Sequence, residues 1–214
     1  MINTKKKIVI AATGGFAKEI LTILHDLGKK DLFDGFIEPD SFFKKEPDTR
    51  KIMGFPILNS SQVKPDTHDI IIGIGNPLSR EKVYKELGDD FNYPSVIHPS
   101  AVVSPWVTIG KGTVICPGVI ITCDIVIGDF CQLNLSTTIG HDCVIGDYFT
   151  TAPGANISGN CIFGNSVYFG TSSAVRQGVT ICDNVTVGMG AIVVKNISET
   201  GVYIGNPLKK LIKK

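Results

Sequence analysis

The sequence has no excess of charge of either sign. Its 214 residues carry 21 Lys and Arg against 20 Asp and Glu, a formal net charge of +1. Nucleic-acid binders show a basic excess or a basic stripe, so the balance argues against DNA or RNA as a partner. Long apolar runs are also missing. "IVIAA", after three lysines, stops at glycines. It is too short for a secretory signal and far too short for a membrane span, so a soluble, cytoplasmic protein without membrane insertion is expected. The 6 cysteines show no CxxC spacing and the 4 histidines do not cluster, so no metal site is expected. Reduced, buried structural thiols are the reading for Cys116, Cys123, Cys131, Cys143, Cys161 and Cys182. The full GxGxxG dinucleotide fingerprint is absent as well.

What is present falls into two regions of different period. Residues 1–95 alternate strands and helices. "KIVIAA" reads as a buried strand, followed by a helix with Phe16, Ile20, Ile23, Leu24 and Leu27 at helical spacing and Gly28 as its stop. "FDGFIE" and "DIIIGIG" read as further strands. "NPLSREKVYKELG" reads as a helix with Ser79 as N-cap and Gly88 at its end. This order predicts a small Rossmann-like α/β domain with a parallel sheet. His25 reads as a structural helix residue, His68 as a loop residue and His98 as a junction. Gly14 and Gly15 can bring backbone amides to a diphosphate at a helix N-terminus. Gly75 and Asn76 follow a strand at its carboxyl end, where open α/β sheets bind ligands. Arg80 reads either as a phosphate partner or as a solvated helix charge.

Residues 96–196 keep a period of six. Counted in sixes from Ile97 to Val193, every position is large and apolar except Thr151. Four residues after each stands a mostly small or β-branched side chain, such as Thr113, Cys131, Cys143, Ala155 or Cys161. Glycine often follows the apolar position, as at Gly110, Gly128, Gly140 and Gly146, where it is expected to tolerate a turn. A six-residue period fits neither an α-helix nor a hairpin sheet. It predicts a parallel β-helix in which three hexads close one triangular coil and stacked positions lie eighteen residues apart. The count gives roughly five to six coils at about 4.8 Å spacing, or about 27 Å of height. Residues 197–214 break the rule and read as a C-terminal cap with a basic tail, "LKKLIKK".

The hexads with "IGHDCVIGDY", the preceding "GG-hydrophobic-A-K-E" turn and the closing "GVYIGNPLKKL" resemble the nucleotide-sugar N-acetyltransferases. That group includes the perosamine, bacillosamine-precursor and sialic-acid-associated acetyltransferases. The resemblance covers essentially the whole chain. It implies a left-handed β-helix, a homotrimer with sites between subunits, and acetyl-CoA as donor. It also implies a nucleoside-diphosphate-linked 4-amino-4,6-dideoxy sugar as acceptor, for a surface glycan such as lipopolysaccharide or for a glycoprotein. Residues 1–95 would hold the nucleotide, and UDP, GDP and dTDP all remain open.

A sugar amine is largely protonated near pH 7 and must be neutral to attack a thioester, and histidine has the pKa to accept that proton. By resemblance His141 is the general base and Asp142 its modulator, a pairing that needs a coil corner because adjacent strand residues point opposite ways. Gly159, one coil on, either offers its amide to the oxyanion or simply forms a corner. The family commonly has a second histidine where this chain has Thr150, whose hydroxyl can donate to the thioester but cannot act as a base. Thr171 and Met189 match positions lining the CoA groove, and Met189 reads equally as a corner filler. The family's "GGH" is "GGF" here, so Phe16 can only pack or stack. Glu38 and Asp40 stand where the family has acidic residues that meet ribose or base, or they are ordinary turn residues.

Other readings fare less well. An O-acetyltransferase of the same fold, acting on serine or a simple sugar, would have little use for a nucleotide-type first domain. A β-helical carbonic anhydrase needs three zinc histidines, and the repeat holds two at most. A non-catalytic scaffold subunit leaves the intact His–Asp pair without a purpose.

Overall fold

The computed structural model describes residues 5–40, 42–43 and 49–212. Lys213 and Lys214 of the basic tail lie outside them. The chain divides into two compact units between Val96 and Ile97.

The first unit runs β1 (Lys7–Ala11), α1 (Gly15–Asp26), β2 (Phe33–Ile37), β3 (Lys51–Ile52), β4 (Phe55–Leu58), β5 (His68–Ile72) and α2 (Pro77–Leu87). The sheet order is β3-β4-β2-β1-β5, with β1 parallel to both β2 and β5. Ile8, Val9, Ile10, Ile70 and Ile71 are fully buried, as expected of parallel strands covered on both faces. The chain leaves β1 toward β2 on one side and later reaches β5 on the other. The carboxyl ends of β1 and β5 therefore form a topological switch point.

Several local expectations need correction. The β3–β4 hairpin was not legible, because two short strands joined at Met53 and Gly54 give no apolar run. The α1 stripe is Ala17, Ile20, Leu21, Ile23 and Leu24, with Phe16 and Leu27 only half-buried. The N-cap of α2 is Asn76, not Ser79: the Asn76 side chain accepts the Ser79 amide at 2.9 Å. His68 is a buried strand residue, its Nε2 3.3 Å from Asp34 Oδ2, while His25 is exposed on α1.

In the second unit, strands of two or three residues pair in parallel with those eighteen residues before and after. Ile121 lies opposite both Val103 and Ile139, and Ile139 opposite Ile157. The result is a left-handed parallel β-helix with faces of six, five and eight strands. The eight-stranded face ends in a cap: Gly201–Ile204 pairs in parallel with Val185–Val187, and Lys209–Lys210 turns back antiparallel on it.

The apolar column points inward from Ile115 to Val193, whereas Ile97, at the open first coil, is 37% exposed because no coil precedes it. Phe149, Phe163 and Phe169 fill the middle with ring centroids 5.0, 5.5 and 6.1 Å apart. Thr151, the polar exception, is fully buried and satisfied: its hydroxyl lies 2.7 Å from that of Thr137 and accepts the Asn134 amide at 3.0 Å. Cys116, Cys131, Cys143 and Cys161 are buried, but Cys123 is exposed and Cys182 half-buried, against the expectation for all six.

The corners also differ from expectation. The glycines after the apolar positions do not make the turn. A Cβ on Gly128 or Gly146 would meet the next coil at 2.4 to 2.6 Å, so these glycines permit close stacking. The left-handed turn falls two residues later, at positions such as Asp124, Phe130, Asp142, Tyr148 and Asn160, each with φ between 53° and 59°. Short polar side chains can hydrogen-bond locally in that conformation, which favours Asp and Asn there.

Candidate active site

The three edges of the prism carry different chemistry. One is zipped by carboxylates and an amide: Asp129, Asp147, Asn165 and Asp183 each accept, at 2.8 Å, the backbone N–H one coil before them. A second stacks Pro153, Thr171 and Met189. The Gly190 amide bonds the Thr171 carbonyl at 2.8 Å, and Met189 is 79% exposed. The third stacks Cys123, His141 and Gly159, where the Asp142 amide bonds the Cys123 carbonyl and the Asn160 amide the His141 carbonyl.

On this third edge Asp142 takes φ 59°, so its side chain need not point away from that of His141 as it would in a strand. His141 Nδ1 and Asp142 Oδ2 lie 2.5 Å apart, and both side chains are about half exposed. An ionised carboxylate only accepts, so the imidazole donates from Nδ1 to Oδ2. Gly159 seats the ring. A Cβ there would stand 2.7 Å from both Cε1 and Nε2 of His141. The glycine is needed for the imidazole itself, a reason not visible in the sequence. Behind the pair, the Cys143 thiol reaches the Ser158 carbonyl at 3.4 Å. Its hydrogen bond with Cys161, and then burial, push the Cys143 pKa up, so it is a neutral packing group.

Other residues expected at this site lie elsewhere on the chain. Thr150 is buried on the eight-stranded face beside Gln132 and Tyr168. Thr171 and Met189 occupy a different edge from His141. Within one chain these groups do not converge. The five-stranded face beside the His141 edge is apolar: Val126, Val144 and Ile162 stack in register, each about half exposed.

The first unit has a cavity of about 600 Å³ at its switch point. It brings together Gly14, Gly15 and Phe16 after β1, Glu38 and Asp40 after β2, and Gly75 after β5. Asn76 instead serves as the α2 cap. Glu38 is already engaged, receiving the Thr13 hydroxyl at 3.2 Å and pairing with Arg50. Arg80 is neither solvated nor in the cavity. It is fully buried, its guanidinium bonding the Ile74 and Gly75 carbonyls at 2.7 and 3.3 Å. It thereby braces the loop that forms the cavity wall. The sequence reading missed Ser79, Lys82 and Glu86, which line the cavity from α2. Their spacing of three, four and seven was visible, but not which face of α2 turns inward. Among the described residues no group of three His, Cys, Asp or Glu is placed to hold a metal, and no helix is long and apolar enough to cross a membrane.

Residues 7–87 match the family model described as the PglD N-terminal domain. Solved structures resemble the whole chain. WeeI from Acinetobacter baumannii is 30% identical with a TM-score of 0.87, covering 96% of this chain and 100% of its own. A histidine variant of the perosamine N-acetyltransferase from Caulobacter crescentus, in complex with CoA and GDP-perosamine, is 29% identical with a TM-score of 0.86, covering 97% of both chains. The acetyltransferase domain of PglB from Neisseria gonorrhoeae is 29% identical with a TM-score of 0.83, covering 96% of this chain and 100% of its own.

Proposed function

This chain belongs to the nucleotide-sugar acetyltransferases of the left-handed β-helix family, and from that premise we propose that it transfers acetyl from acetyl-CoA to the 4-amino group of a nucleoside-diphosphate-linked 4-amino-4,6-dideoxy sugar. It is an acyltransferase, and its acceptor is a nucleotide amino sugar. Residues 1–95 hold the nucleotide in the switch-point cavity, residues 96–196 carry acetyl transfer, and residues 197–214 cap the helix. A cytoplasmic enzyme feeding surface-glycan or glycoprotein synthesis fits such an acceptor.

The observation that carries the mechanism is the 2.5 Å contact between His141 Nδ1 and Asp142 Oδ2. With the proton held at Nδ1, the ammonium form of the sugar first loses a proton to solvent, and Nε2 accepts the next one from the neutral amine as nitrogen attacks the thioester carbon. The N–C bond forms and the carbonyl electrons move to oxygen, for which the Gly159 amide is the proposed donor. The C–S bond then breaks, and the proton passes from the imidazolium to the CoA sulfur. Asp142 fixes the tautomer and stabilises the imidazolium without itself taking the proton.

Thr150, Thr171 and Met189 can serve the acetyl-CoA side only from a neighbouring copy. Their separation from His141 within one chain supports a cyclic homotrimer with sites between subunits. The Val126, Val144 and Ile162 stripe offers an apolar face for that packing.

The direct test is CoA release from acetyl-CoA with UDP-, GDP- and dTDP-linked 4-amino-4,6-dideoxy sugars, and with serine and glucosamine as controls. Rapid release with one nucleotide sugar is expected. Release only with the controls would move the enzyme to the simple acetyltransferases.

A further inference from the structure

The switch-point cavity must accept a diphosphate that carries two negative charges, yet its own carboxylates are Glu38, Asp40 and Glu86. Backbone amides at Gly14 and Gly15 supply partial charge but no full cation. We propose that Lys82 is the side chain that neutralises the diphosphate, with the Ser79 hydroxyl beside it. The proposal rests on the reading of this cavity as the nucleotide site.

Ser79, Lys82 and Glu86 are spaced so that one face of α2 presents all three to the cavity. Among the described residues lining it, Lys82 is the one Lys or Arg. Its ammonium stands 3.6 Å from Glu86 Oε1, beyond a good hydrogen bond, and the side chain is 70% exposed. A dianion can displace such a loose i,i+4 contact at little cost, since exposed pairs of this kind are weak. Three other described cations are otherwise engaged. Arg80 lies about 200° away around the helix and is buried on two carbonyls. Arg50 pairs with Glu38. Lys85 holds Glu81 at 2.7 Å and does not line the cavity.

Calorimetric titration of the full-length protein with UDP, GDP and dTDP separates the possibilities. With whichever diphosphate the native protein binds, Lys82→Gln is expected to weaken Kd about tenfold, the scale of one charge-assisted contact. It is also expected to flatten the salt dependence of binding. Lys82→Arg should restore much of the affinity, and Lys85→Gln should bind like the native protein. In turnover, KM for the nucleotide sugar should rise in Lys82→Gln while KM for acetyl-CoA stays put. Native-like diphosphate affinity and salt slope in Lys82→Gln would overturn the role of Lys82 and leave the nucleotide reading standing. Failure of the native protein to bind any of the three diphosphates would overturn both.

Discussion

The two units place functional groups by opposite means. In the β-helix a residue's surroundings follow from its number: eighteen residues on is the same edge, one coil away. His141 therefore lies over Gly159, and Asp142 falls on the left-handed corner position. In the first unit no such rule holds. Its cavity collects residues from the ends of β1, β2 and β5 and from one face of α2, far apart in sequence and joined only by sheet order. A stacked lattice makes a site whose parts are near one another by arithmetic, while a doubly wound sheet makes one by topology.

Substitutions can test that contrast. The largest effect is expected at His141→Asn. Turnover should fall about 10²-fold or more, the usual scale for a general base, with the unfolding temperature unchanged. Near-native turnover would remove the proton-transfer role. Next is Arg80→Met, which removes a fully buried guanidinium from the Ile74 and Gly75 carbonyls and should destabilise the first unit by about 2 kcal/mol. Denaturant unfolding should show the loss in the first unit while the β-helix transition stays in place. A common shift of both would mean that the two cores unfold as one. At Gly159→Ala the added methyl must push the imidazole off its seat, so kcat should drop about tenfold with the fold retained. An imidazole resonance and a kcat both unmoved would show that the ring can find another position. The smallest effect belongs to Thr151→Val, which leaves Thr137 and the Asn134 amide short of a partner. About 1 kcal/mol of β-helix stability should be lost, with no change in diphosphate binding by the first unit.

Much of the fold could be read beforehand because hexads have a hard register. The inward column and the eighteen-residue stacking needed only counting. The His141–Asp142 pairing was legible too, through the likeness of "IGHDCVIGDY" to the acetyltransferase motif. Failures came where packing, not pattern, decides. A charged helix residue such as Arg80 looks the same in sequence whether it is solvated or buried on carbonyls. His68 and the β3–β4 hairpin carry no periodic signal. The corner glycines looked like turn makers, but their missing Cβ atoms make room for the next coil, which no single hexad can reveal.

By itself the sequence determined the β-helix, its coil spacing and the glycine turn after β1, because each depends on short-range order and steric period; the candidate base and its carboxylate came from a motif resemblance instead. Only the tertiary structure decided that Lys82 and not Arg80 faces the cavity, that Glu38 is held by Thr13 and Arg50, that His141 needs Gly159 as its seat, and that Thr150, Thr171 and Met189 lie away from His141 in one chain. Those outcomes depend on which face of a helix turns inward and on which edge of a prism a residue lands, and both are set by long-range packing.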